Sequence, residues 1–520
     1  MPNPNSRREF LADVGRGMLL ATVGTSVATE LGLAPAVAAE ADPALTFGSL
    51  EPLVCLMQET PANKLLPLLV DKLHSGTSLD QLVSAGALAN ARTFGGEDYI
   101  GFHTMMALSP ALHMSRQLPE ASQALPVFKV LYRNTSRIQA HGGKPSEILH
   151  SVEGSRIPEG QNAGEFIRSL IRAKECKTAE QALVGLANMS PEDAFNALLY
   201  AIQDNGEVHR VVMPYRSWDL LSVVGMDQAK TLLRQSVHYC VRSEAGQRGT
   251  AWDAPRTLLP KLLDEHNLLH ATPGNRHADD AWIDQLSQTI FKSSPEDAAG
   301  AAAAALADGF SAMNVGEAIS LAANQLVLRD HGRTPREEVA GKPVGSVHGD
   351  SIGVHACDSA NAWRNMALVS NARNSFACLI VGAYQTAFDR INRGGDFLNW
   401  EPLPVQRHLD EITDTDAPAL LSQAEEAIKG NYQAKASAIV HRYGQKGYDP
   451  RPVFDLMLRY AVSEDGSLHA EKFYRTVSEE FAAGTPAFRW RHLVALARVT
   501  ASEYGRPAEG IAEARQLLKV

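Results

Sequence analysis

The chain has 520 residues, 45% hydrophobic and 21% charged, with a formal net charge of −10. That size and balance exceed one ordinary domain, bury a real core and exclude a disordered chain. An acidic chain without a long basic run also excludes nucleic acid and an anionic membrane surface as the main partner.

The N-terminus reads as an address. "SRREFL", Ser6 to Leu11, sets Arg7 and Arg8 before a modestly apolar stretch, Val14 to Leu33, and Ala36 and Ala38 stand at cleavage-site spacing. This order resembles a bacterial twin-arginine signal, so residues 1–38 are expected to be a signal peptide handled by the twin-arginine export machinery. The resemblance implies a periplasmic or extracytoplasmic mature chain, without a stable membrane span, exported folded and in many such proteins with a cofactor already loaded.

Beyond it, apolar residues recur at three and four spacing in "PANKLLPLLVDKL" from Pro61, "AEQALVGLA" from Ala179, "AFNALLYAI" from Ala194, "MDQAKTLLRQSVHYCV" from Met226 and "RWRHLVALARVTA" from Arg489. "SPED" at Ser190 and again at Ser294 marks helix starts, with serine to cap, proline in the first turn and acids facing the helix dipole. Alternating strand patterns bounded by hairpin dipeptides are nearly absent. The expected fold class is all-α.

The chain also repeats itself. "TPANKLLPLLVDKL" from Thr60 lies against "SPEDAAGAAAAALADGF" from Ser294, and "SLDQLVSAGALANAR" ending at Arg92 against "VGEAISLAANQLVLR" ending at Arg329. "DYIGFH", Asp98 to His103, faces "DSIGVH", Asp350 to His355; "LYAIQDNGEVH", Leu199 to His209, faces "RYAVSEDGSLH", Arg459 to His469. The matches keep their order. Two internally repeated helical units are expected, 39–275 and 276–520, packed about a pseudo-twofold axis.

Histidine is 17 of 520 residues, so a given histidine faces another by chance roughly once in thirty. Here His103 faces His355 and His209 faces His469, and a gapped alignment adds His238 with His492. If the units pack symmetrically, four imidazoles surround a central point and suit Fe, Cu, Ni or Zn. Gly101, Gly353, Gly206 and Gly466 would allow turns or close backbone approach. Asp98, Asp350, Asp204 and Glu464, each five residues before its histidine, would orient the rings. The competing reading makes these histidines capping or core hydrogen-bonding groups.

Other constellations carry less. His266 and His270 stand at helical spacing with His277 beyond, a possible chelate or a polar inter-unit connection; His348 is a possible fifth ligand. Cys55, Cys176, Cys240, Cys357 and Cys378 are odd in number, without a C-x-x-C pair, and spell neither a disulfide framework nor covalent haem attachment. Walker loop and dinucleotide fingerprint are both missing.

"HGDSIGVHACDSANAWR", ending at Arg364, resembles a helix motif of the questin oxidase-like family, which is helical and histidine-rich and includes non-haem iron enzymes that cleave polycyclic aromatic quinones. The resemblance implies His355 as a metal ligand, and His103 through the repeat. The expectation is then an exported metal-dependent oxidoreductase, with non-haem iron held by His103, His209, His355 and His469 and a small-molecule aromatic or quinone-like substrate. Tyr99, Tyr215, Trp218 and Trp363 are candidate pocket walls, and Arg364 a candidate catalytic anchor for a substrate anion. A non-catalytic helical scaffold with structural histidines is the alternative, and a haem protein with paired histidine ligation a third.

Overall fold

Helices begin where the capping residues stand. Ser190 and Ser294 each accept a hydrogen bond from the backbone N–H three residues on, at 3.1 Å, with proline and two acids in the first turn. Ser78 and Gln81 close a reciprocal capping box before Leu79–Phe94. The computed structural model describes residues 43–246, 253–340, 342–347, 349, 351–392 and 394–520. The expected signal peptide, His348 and Asp350 lie outside the described residues.

Among the described residues regular structure is helical throughout, with isolated bridges but no strand. The protein is all-α, as its periodicity implies. The repeated segments from Thr60 to His469 fall within one compact unit, Leu45–Val520. Among the described residues no helix is long and apolar enough to cross a membrane.

Four helices position the site: α1 (Tyr99–Ser115), α2 (Val208–Val224), α3 (Ile352–Val369) and α4 (His469–Ala483). Helix α1 packs on α2 and α4, and α3 packs on α4 and α2. Phe102, Met105, Leu108 and Met114 leave α1 apolar on every side and all are buried, the pattern of an enclosed helix. Leu79–Phe94 lies against α1 and Ala312–Arg329 against α3, so each repeated helix pair is also a packed pair. The second contact is the closest: a Cβ on Gly353 would sit 2.5 Å from the Val327 backbone nitrogen, so only glycine lets these helices touch backbone to backbone.

The four helices run the same way. Thr476, seven residues past His469, donates to Asp358, three past His355, at 2.8 Å. Asn365, ten past His355, donates to Glu479, ten past His469, at 3.3 Å. Ser109 of α1 bonds Asp219 of α2, and Tyr215 of α2 donates to Glu479 at 3.2 Å. Four helix N-termini therefore converge on the histidines.

Candidate metal centre

Each N-terminus is built differently. Asp98 caps α1 by accepting from the Gly101 N–H at 2.7 Å, and Glu207 caps α2 by accepting from the His209 and Arg210 N–H groups at 3.1 Å each. Ser351 caps α3 at Val354, 3.4 Å. Helix α4 has no side-chain cap; Ser467 and Leu468 turn into it with φ of 51° and 66°, a left-handed conformation costly for both. The result is four histidines brought together.

His209 Nε2 lies 3.2 Å from His103 Nε2, and His355 Nε2 lies 3.1 Å from His469 Nε2. The pairs face each other: ring centroids are 5.1 Å apart for His103 and His469 and 5.9 Å for His209 and His355. The gathering is pairwise. Among the described residues no group of three or more histidine, cysteine, aspartate or glutamate side chains is placed so that it could hold a metal ion.

The outer ring nitrogens fix the tautomers. His103 Nδ1 is 2.6 Å from the Tyr99 carbonyl oxygen and His469 Nδ1 is 3.0 Å from that of Ser467. A carbonyl only accepts, so both Nδ1 atoms carry the proton. His209 Nδ1 is 2.5 Å from Glu207 Oε1. Burial raises the Glu207 carboxyl, but the charge and hydrogen bond of His209 and the hydroxyl of Tyr239, donating at 2.6 Å, outweigh it and hold it at about 2, fully ionised. With both rings neutral, the Nε2 lone pairs of His103 and His209 would face each other. Two such lone pairs 3.2 Å apart repel unless a cation, either a proton or a metal ion, stands between them.

The surroundings favour a neutral ring at His103. Burial, then the Lys472 ammonium, then neighbouring His209 push His103 far below the usual imidazole range. The converging helix dipoles act in the same sense. Lys472 and Asp358 stand one turn beyond His469 and His355, where the first half carries Val212 and Met106; all four are buried. Burial lowers Lys472 to about 8 against the opposing pull of Asp358 and Glu471, and burial raises Asp358.

A cleft of about 520 Å³ opens on His209. Tyr99, Phe102 and Tyr239 give it aromatic walls, and Glu97, Glu207 and Arg242 line it as well. Tyr99 is 60% exposed, its ring 4.6 Å from that of His103.

Other expected site residues are elsewhere. His238 is held by Glu97 (Nδ1, 3.0 Å) and Glu180 (Nε2, 2.9 Å); burial lowers it, but the Cys176 thiol and these carboxylates raise it to about 11, a cation without a free lone pair. His492 lies beside the Arg364–Glu480 pair, pushed by burial to about 4. Arg364 itself is buried and bound to Glu480 at 2.5 Å, so it anchors the core rather than a ligand. Trp363 donates to Gln385 in the core, Trp218 stacks on Phe195 and Tyr215 is buried; of the four aromatic candidates only Tyr99 lines the cleft.

The orienting acids also differ from expectation. Asp98 caps α1 and binds Arg137 at 2.8 Å, Asp204 binds Arg172, and Glu464 receives the Gly505 and Arg506 N–H groups. Glu207, two residues before His209, takes the role instead, because the tight turn into α2 folds its carboxylate back over the ring. Capping and ring orientation by one acid was legible in "EVH", though spacing comparison favoured the more distant acid. Helix Ala254–Glu265 ends at His266, with Asn267 at φ 55°, so His266 and His270 share no helical face. The five cysteines are free thiols.

No family model, no curated protein and no solved structure matches this chain.

Proposed function

We propose that His103, His209, His355 and His469 hold a transition metal, iron in the first instance, in an exported oxidoreductase acting on aromatic or quinone-like small molecules. The observation that carries this reading is the two Nε2–Nε2 contacts between histidines of different helices, at 3.1–3.2 Å. Two imidazoles on one metal at about 2.0–2.1 Å have their nitrogens about 3 Å apart at a right angle and about 3.3 Å apart in a tetrahedron. Each pair already has the spacing of two ligands on one ion. The likeness of the Asp350–Arg364 segment to the questin oxidase-like family favours iron, and the twin-arginine pattern favours export.

Bound there, such an ion supplies electron exchange between dioxygen and an electron-rich ring. The protein's share is position. Tyr99, Phe102 and Tyr239 would hold a flat ring beside His209, and Glu207, fixed by Tyr239, keeps the His209 ring turned inward.

One observation favours a second reading. Glu207 beside His209 can stabilise an imidazolium, whose Nε2–H would then donate to His103 and supply the cation without a metal. The four histidines would then tie helices together in a non-catalytic scaffold. Elemental analysis of residues 39–520 purified without chelator, with an absorption spectrum of the same sample, decides between them. About one iron per chain without a Soret band supports the oxygenase reading. No metal after reconstitution overturns it, and a Soret band replaces it with a haem protein.

A further inference from the structure

A second cavity, of about 660 Å³, lies at the far end of α1 from the histidines, where the turn after α1 meets helices Arg451–Ser463 and Ile511–Leu518. Its apolar lining comes from Leu118, Pro119, Leu125, Leu458, Val462 and Val520. Arg451, Arg459 and Arg515 also line it, against one acidic side chain, Asp455. That acid is already taken: Arg451 Nε donates to it at 2.9 Å. Arg459 keeps only a 3.5 Å contact with Glu425, an acid that Lys429 approaches more closely, at 2.9 Å. Arg515 makes no ion pair with any described acid.

We propose that this cavity binds an amphipathic carboxylate, an apolar chain or ring bearing one carboxylate group. The apolar lining takes the body, and the guanidiniums of Arg515 and Arg459 take the head. Two features exclude two other ligand classes. A cationic amphiphile would meet three guanidiniums, and a small hydrophilic anion would leave six apolar side chains uncovered. Guanidinium matches carboxylate geometry with two parallel hydrogen bonds, which ammonium groups do not provide. A local cationic site on a chain of net charge −10 also stands against the overall field, so the cavity's sign is a property of these residues and not of the surface at large.

The site is independent of the histidine centre, so its test needs no metal. The full mature chain is titrated calorimetrically with decanoate and, separately, with decyltrimethylammonium. Decanoate is expected to bind saturably at about one per chain, with the ammonium amphiphile at least about tenfold weaker. Arg459→Glu and Arg515→Glu, both at exposed positions, are each expected to weaken decanoate about tenfold while leaving the thermal transition in place. Leu118→Asp, half-buried at the rim, tests the apolar side and is expected to abolish binding. Absence of decanoate binding, equal binding of both amphiphiles, or unchanged affinity in both arginine variants overturns the proposal.

Discussion

His103 Nε2 and His209 Nε2 lie 3.2 Å apart, each ring held at its other nitrogen by an oxygen acceptor, the Tyr99 carbonyl and the Glu207 carboxylate. Residues 106 positions apart in sequence thus present lone pairs to one another. Such a contact is stable only with a cation in it, and the predictions below follow from which cation that is and what holds the rings.

Glu207→Gln removes the charge that turns His209 inward while keeping an acceptor oxygen for the helix start. Metal affinity, read by competition with a chromogenic chelator, is expected to fall about ten- to hundredfold, with helical content intact. Unchanged affinity would mean that Glu207 only caps α2. His209→Ala and His355→Ala are expected to lose the metal altogether, whereas Arg364→Gln loses about 3 kcal/mol of stability and keeps it, since Arg364 pairs with Glu480 in the core.

Lys472→Met tests the charge beside the cluster. With the ammonium gone, imidazolium at His103 is penalised less, so its pKa rises. Burial is the larger cause and remains, so the value stays below the ordinary imidazole range. Side-chain NMR of histidine-labelled, metal-free chain across pH reads the shift; a His103 titration identical in both chains refutes it.

His238 gives a pH signature of its own. Its folded pKa, about 11, lies above the unfolded value near 6.5, so the stability it contributes is fully present below about pH 6.5 and lost as pH rises towards 11. His238→Gln is therefore expected to cost about 3 kcal/mol at pH 6 and progressively less towards pH 10. Denaturant midpoints at both pH values check this. A difference that grows with pH would show that the ring is neutral between Glu97 and Glu180.

Ser467→Gly addresses the strained entry to α4. Ser467 has φ 51° and its carbonyl, not its side chain, receives the His469 Nδ1–H. Glycine adopts that conformation freely, so a gain of about 1 kcal/mol in unfolding free energy is expected, with metal content unchanged. A lower melting temperature would show that the serine side chain stabilises the turn.

Much of this was readable along the chain. Three-four apolar spacing and the two "SPED" caps fix a helical fold because helix periodicity and capping are local properties, and the matched segments "DYIGFH" with "DSIGVH" and "LYAIQDNGEVH" with "RYAVSEDGSLH" singled out His103, His209, His355 and His469. Local patterning carried no information on partners across helices. Whether His238 would meet two carboxylates, whether Arg364 would find Glu480, and whether Asp98 would serve a ring or a helix end depended on side chains tens to hundreds of residues away. The tertiary structure decided those by bringing four parallel helix N-termini together, with their histidines paired two by two. There burial keeps the His103 imidazole neutral, and the nearest acid in space, Glu207, orients the His209 ring in place of Asp204. The physical division is range: hydrogen bonds within a turn follow from sequence neighbours, while charge pairing in a buried core follows from which helices pack.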